Sequence, residues 1–232
     1  MPGQLISLAE RRSGVPARTQ VYATLRDAII RAELAPGRKL SENELANWIG
    51  VSRTPIREAL VRLRDERLVA IVPQLGTYVS RISPQAVSDA QFIREALECA
   101  SIRETAILAT EDEVALLEEN LRAQERADER GDFDAFYVLD EDFHRMLCDL
   151  SGHATVWTVT QRAKGHLNRV RRLSIPMPSY IGEMIAEHRG VVAAVAEHDP
   201  DEAESQLRHH LRMVLREIPH LRAQHPDYFE SP

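Results

Sequence analysis

The spacing of apolar residues changes along the chain and divides it into an irregular start, a compact head and a long helical body. Residues 1–18 hold no sustained period and contain Pro2, Gly3, Gly14 and Pro16, so a flexible arm is expected there. Arg11, Arg12 and Arg18 in that arm are either phosphate contacts or charges of a solvated tail. From Thr19 to Arg31 a helical stripe of Val21, Tyr22, Leu25 and Ile29 appears, and Leu34-Ala35-Pro36-Gly37 breaks it. Ser41 caps a short second helix, with Glu44 placed for a capping box and Leu45, Trp48 and Ile49 facing inward. Gly50 supplies the positive-φ residue that ends it. A third helix begins near Pro55, capped by Ser52 or Thr54, with Ile56, Leu60 and Leu63 on its buried face. The period then shortens. Leu68–Val72 and Thr77–Ser80 read as two strands joined by Pro73-Gln74-Leu75-Gly76.

Everything after Ser83-Pro84 reads helical. Helices are expected near 84–109, 111–130, 132–150, 153–173, 179–198 and 200–218, broken at Thr110, Gly131, Ser151-Gly152, Pro176–Ser179 and Asp199-Pro200. Pro219 should end or kink the last of them, and Pro226 should leave a fraying tail. The expected fold class is mainly α. A winged helix-turn-helix covers 19–82, an all-α bundle of about six helices covers 83–220, and a tail covers 221–232.

Charge sharpens this division. Residues 1–80 carry 12 Lys/Arg against 8 Asp/Glu, a balance of +4, whereas the remainder carries 17 against 28, a balance of −11. A basic head on an acidic body is compatible with nucleic acid at the head, which the overall charge of −7 alone would argue against. Aromatics make up only 5 %, so the core must be aliphatic. Cys99 and Cys148 give no disulfide framework, and reduced buried thiols in a cytoplasmic protein are expected. No apolar run approaches the ~20 residues of a membrane span, and the first residues lack the pattern of a signal peptide.

Two constellations carry candidate chemistry. Ser52, Arg53, Thr54 and Arg57 lie at the exposed start of the third helix. Hydroxyls and guanidinium groups there suit base edges and phosphates in a major groove. Asn43 and Gly76 are candidates for backbone contacts, Gly76 because a wing without a side chain can approach the duplex closely. One helix reads only a few base pairs, so a homodimer on a two-fold related double-stranded operator is expected.

The second constellation is Asp140, His144, His188 and His210. Asp140 and His144 are four apart, on the side of their helix that carries Phe136, Leu139, Phe143 and Leu147. His188 falls between Ile185 and Val191, and His210 falls with Leu207, Leu211 and Val214. His209 should face out, and His153 and His166 should be surface residues, whereas His198 should meet a helix C-terminus. Ligands of these types suit a divalent transition metal such as zinc or nickel; from spacing alone a core hydrogen-bond network fits as well. Arg94 lies on the same broad face of its helix as Leu97; if it faces inward it is either a helix ion pair or a clamp on a ligand carboxylate, and Asn168 and Arg171 could line the same cavity.

Several stretches together resemble one family. They are Leu34-Ala35-Pro36-Gly37…Leu40-Ser41-Glu42…Leu45-Ala46, Gly50 through Leu60, and Gly76-Thr77-Tyr78-Val79, which are similar to the GntR transcription regulators. Arg94-Glu95-Ala96-Leu97-Glu98, Asp140…Phe143-His144 and Glu187-His188 resemble the helical ligand domain of their FadR-type branch. The order Asp-x-x-x-His…His…His recurs in metal-binding members of that branch, so the resemblance implies a metal at those four residues. It also implies a ligand-responsive DNA-binding regulator, and a repressor is expected. A guanidinium grips a carboxylate, so a small organic acid at Arg94, with Asn168 and Arg171 lining the same cavity, is the expected effector. An enzyme with a DNA-binding appendage and a DNA-binding protein with a purely structural metal are the alternatives. Glu187 points about 100° away from His188 on a helix and would make a poor base for such an enzyme. One departure is Arg67, where the family usually has Gly; a left-handed turn there is costlier for Arg.

Overall fold

The computed structural model describes residues 16–231. Most of the arm expected over 1–18, including Arg11 and Arg12, lies outside them. Arg18 does not belong to an arm, because the first helix already begins at Ala17. The chain forms two compact units: one runs to Ala86 and takes in Arg222 onward, and the other spans Val87–Leu221.

The head unit contains α1 (Ala17–Ile30), β1 (Lys39–Leu40), α2 (Glu42–Ile49), α3 (Arg53–Asp65), β2 (Val69–Val72) and β3 (Gly76–Val79). Val21, Leu25 and Ile29 of α1 pack with Ile49 of α2, with Ile56, Leu60 and Leu63 of α3, and with Leu68 and Val79 at the sheet. Each such side chain contributes roughly 1.5–3 kcal/mol when fully buried. Ser41 caps α2 by accepting from the Glu44 amide at 3.4 Å. Ser52, rather than Thr54, occupies the position before α3, although its hydroxyl makes no capping bond; Thr54 lies inside the helix.

The wing is an antiparallel sheet of order β1-β3-β2, with Ile71 opposite Thr77 and Lys39 opposite Tyr78. The two-residue β1 was not legible in sequence, since it is too short to show alternation. Gly50 ends α2 at φ 75°, ψ 40°, the left-handed corner of the helix-turn-helix. Open space surrounds the position where its Cβ would stand, so Gly50→Ala meets only backbone strain. That substitution should destabilise the protein by about 1 kcal/mol, read from urea unfolding midpoints. Arg67 adopts φ 59°, the left-handed turn anticipated for it.

The end of the chain corrects the expected frayed tail. Pro226–Tyr228 forms a 3-10 turn, Phe229 is buried, and Ile82 pairs with Phe229 in a parallel bridge. The Ile82 amide donates to the Tyr228 carbonyl at 2.7 Å, and the Glu230 amide donates to the Ile82 carbonyl at 3.0 Å. An apolar ring and two backbone bonds tie the segment down where a Pro-rich composition had pointed to disorder.

The body is built from α4 (Pro84–Leu108), α5 (Glu111–Glu129), α6 (Phe133–Leu150), α7 (Val156–Ala163), α8 (Gly165–Ser174), α9 (Tyr180–Ala196) and α10 (Pro200–Gln224). Seven helices replace the six expected, because 153–173 splits at Lys164. Gly165 follows, a poor helix residue, and the turn carries the fully buried Lys164 ammonium to Glu141 at 2.9 Å. The same turn buries His166, which was expected at the surface. Pro219 does not stop α10, which continues to Gln224. It and Leu215 lie on the exposed side, where water can serve the carbonyl that loses its helical donor. Cys99 and Cys148 are free and buried, and burial pushes both thiols up to about 12. Among the described residues no helix is long and apolar enough to cross a membrane.

Candidate metal centre and nucleic-acid interface

Asp140 and His144 come from consecutive turns of α6, His188 from α9 and His210 from α10. All four are buried, and one ligand atom from each lies within 4.8 Å of the others. His188 Nε2 stands 3.1 Å from His210 Nε2, which stands 3.3 Å from His144 Nε2. Asp140 Oδ1 is 3.7 Å from the Nε2 atoms of both His144 and His188. The apolar stripes seen in sequence turn these residues inward: Phe143 stacks on His188 with ring centroids 4.2 Å apart.

The other nitrogen of each ring meets an acceptor. His188 Nδ1 lies 2.9 Å from Gln124 Oε1, and that amide is itself oriented by donating to Asn120 Oδ1 at 2.7 Å. His210 Nδ1 lies 3.0 Å from Glu187 Oε2. His144 Nδ1 lies 2.9 Å from Glu98 Oε2, within ion-pair range but out of line for a hydrogen bond. Acceptors at the Nδ1 atoms of His188 and His210 favour the proton there, which leaves their Nε2 lone pairs directed at the cluster. The fully buried His144 and His188 are held well below the usual imidazole range, first by burial and then by neighbouring cations and histidines, Arg94 among them.

That depression has a consequence for stability. Below about pH 6.5 the unfolded chain binds protons at these two rings and the fold does not. Stability of the metal-stripped protein should therefore fall as pH drops from about 6.5, by up to ~1.4 kcal/mol per pH unit for each ring. Urea unfolding midpoints at pH 7.5 and 5.5 check it.

Arg94 is buried and donates to Glu98 Oε1 at 2.9 Å, yet its Nη2 has no hydrogen-bond partner. Arg171 spans Asp140 Oδ2 and Glu141 and donates to Asn168 Oδ1 at 3.1 Å. Burial alone would raise the Glu141 carboxyl, but Lys164 and Arg171 outweigh it and hold it below the usual range. The three residues expected to grip an effector are thus buried beside the four-residue cluster, and Arg94 and Arg171 are partnered by carboxylates. Sequence reasoning missed Glu98, Gln124 and Glu187 as partners of the rings. Glu98 stands four residues after Arg94, and Glu187 adjoins His188, so a signal existed for two of them. His209 is exposed as expected, with Nε2 3.3 Å from Glu187 Oε1. His198 Nδ1 lies 2.8 Å from the Ala106 carbonyl, near the end of α4.

In the head, Asn43, Ser52, Arg53, Thr54 and Arg57 are exposed, on α2 and at the start of α3. Gly76 opens β3 at φ 127°, and a Cβ there would meet Lys39 Cε at 2.9 Å. Glu42, the first residue of α2, holds both Arg53 and Arg57.

Residues 17–79 match the family of bacterial regulatory proteins named for gntR, and residues 89–213 match the FCD domain. The chain belongs to the GntR family. It is 44 % identical over 219 residues to an HTH-type transcriptional regulator from an unstable DNA locus of Streptomyces ambofaciens, covering 94 % of this chain and 92 % of that one. It is 35 % identical over 216 residues to the HTH-type transcriptional repressor RspR of Escherichia coli K12, covering 93 % and 95 %. Among solved structures it is similar to E. coli McbR/YncC, with a TM-score of 0.76 at 22 % identity over 91 % of this chain and 99 % of that one, a likeness of fold. This GntR-family chain is accordingly a transcription regulator and not an enzyme, with a DNA-binding head and an FCD body.

Proposed function

We propose that the protein is a ligand-responsive repressor that acts as a cytoplasmic homodimer on a two-fold related operator. Its body holds one divalent transition metal ion, zinc or nickel, through Asp140, His144, His188 and His210. One observation carries this: three Nε2 atoms and the unpartnered Asp140 Oδ1 converge in a buried site, with the far nitrogens of His188 and His210 on acceptors and that of His144 facing Glu98. Metal–ligand bonds of ~2.0–2.2 Å bring neighbouring ligand atoms roughly 3–3.6 Å apart, close to the separations here. Repression is the sign we infer, after the name of the E. coli relative.

The bound ion would supply Lewis acidity toward oxygen ligands. The chain's own residues set what can join it. Arg94 offers a buried cation with one unsatisfied amino group, and Arg171 holds Asp140 and Glu141 in place. A small organic acid fits this chemistry, since a guanidinium grips a carboxylate. Its binding would change the relative placement of two reading heads whose half-sites have fixed spacing. A calorimetric screen of small carboxylates against metal-loaded protein, with Arg94→Ala as control and operator titration for each hit, tests the proposal. Coupling of about 1–3 kcal/mol, roughly 5–150-fold in operator affinity, is expected. A carboxylate that binds but leaves operator affinity unchanged would point instead to a structural site.

A further inference from the structure

Glu42 opens α2 and faces the start of α3 across the turn. Its carboxylate receives four hydrogen bonds from two guanidinium groups. Arg53 donates to Oε2 from Nε at 3.3 Å and from Nη2 at 2.9 Å. Arg57 donates from Nε to Oε1 at 3.1 Å and from Nη2 to Oε2 at 2.9 Å. The Arg53 and Arg57 side chains are exposed by 58 % and 64 %, whereas the Glu42 side chain is exposed by only 28 %. The two arginines together hold the Glu42 carboxyl down to about 2, so it stays ionised at any working pH.

The choice of edge matters. A guanidinium has a side edge, Nε with one amino group, and an end edge, the two amino groups. Both arginines spend the side edge on Glu42. Neither Nη1 has a partner among the described residues, so both end edges remain available for a ligand. Two such end edges are forks matched to the O6 and N7 acceptors of guanine. Without Glu42, two cations one helical turn apart would repel, and each long side chain would sample many rotamers.

The geometry points to Glu42 as a specificity-determining residue: it fixes Arg53 and Arg57 side by side so that their end edges read two guanines in each operator half-site. The inference rests on the assignment of Arg53 and Arg57 as base-reading residues. A carboxylate at the protein–DNA interface also lowers the local positive charge. It thereby weakens attraction to phosphates of any sequence while the two forks keep their base contacts. Glu42 is in this sense a guide for the arginines and not a latch that DNA must open.

The experiment begins with selection of duplexes from a randomised double-stranded library by the full-length protein. Fluorescence anisotropy then compares the selected duplex, single G-to-A variants of it, and a mixed-sequence duplex at several salt concentrations. The proteins are wild type, Glu42→Gln, Arg53→Ala and Arg57→Ala, each checked for its thermal transition. Wild type should select symmetric half-sites with two guanine positions. Glu42→Gln should lose about tenfold in discrimination at those positions, within the range of a bidentate base contact. It should also bind the mixed-sequence duplex more tightly, with a salt slope steeper by about one. Unchanged discrimination in Glu42→Gln, with both Arg variants impaired, overturns the role of Glu42 alone. Tighter binding to both duplexes at an unchanged ratio also overturns it, in favour of a latch. Full specific affinity in both Arg variants overturns the underlying assignment as well, as does a wild-type protein that selects no sequence.

Discussion

Replacing His188 by alanine is expected to abolish retention of a divalent ion, the largest single effect available in the body. The residue is fully buried on α9, and its Nε2 sits between His210 Nε2 and Asp140 Oδ1. Removing it deletes one of four ligands and leaves Gln124 Oε1 without its partner. Elemental analysis of protein purified without a chelator or a metal-affinity tag should give one ion per wild-type subunit and none for the variant. His209→Ala is the matched control one residue from His210, because its side chain is 59 % exposed and its Nε2 lies 3.3 Å from Glu187 Oε1, outside the cluster. Gln124→Ala should weaken the ion by about 10–100-fold through the freed ring, the usual worth of an outer-shell partner. Metal loading should stabilise the wild type, by about 4 kcal/mol at a thousandfold excess over Kd, and should not stabilise the His188 variant. Because the ligating rings must be neutral, loading should weaken as pH falls below about 6.5. A folded wild type that stays metal-free under loading would reduce the cluster to a hydrogen-bond network.

Arg53→Ala should have the largest effect in the head. The side chain is exposed at the first residue of α3, so its removal leaves the core intact. Its fold cost is correspondingly small, because an exposed ion pair is worth ~0–1 kcal/mol. The loss in operator affinity should be about 1–3 kcal/mol per half-site if the guanidinium reads a base edge. Arg57→Ala should act similarly. Fluorescence anisotropy on a selected operator measures both, and wild-type affinity with unchanged base preference in Arg53→Ala would remove the residue from the interface.

The two sites were legible to different depths. At the head, the recognition helix and its exposed start follow from local rules: Gly50 takes positive φ, Ser52 precedes the helix, and Ile56, Leu60 and Leu63 share one face. Such rules act within about four residues, and sequence displays them directly. In the body, the phase of Asp140 and His144 against Phe136, Phe143 and Leu147 was equally local, and it placed both residues inside. That His188 and His210 join them depends on how α6, α9 and α10 pack, which no window of sequence contains.

Sequence by itself therefore determined the helical body apart from the break at Lys164, the wing hairpin, the inward placement of His144, His188 and His210, and the basic head. Tertiary structure decided the partners. Glu98, Gln124 and Glu187 became acceptors for the rings because a buried nitrogen must be satisfied by whatever element packs against it. The break at Lys164 was decided in the same way, since a buried ammonium has to reach Glu141 23 residues away in sequence. Phe229, near the end of the chain, was fixed by the backbone of Ile82, distant from it in sequence. Propensity and period encode which face of an element turns inward. What that face then meets is set by contacts between residues distant in sequence, and these leave no periodic trace.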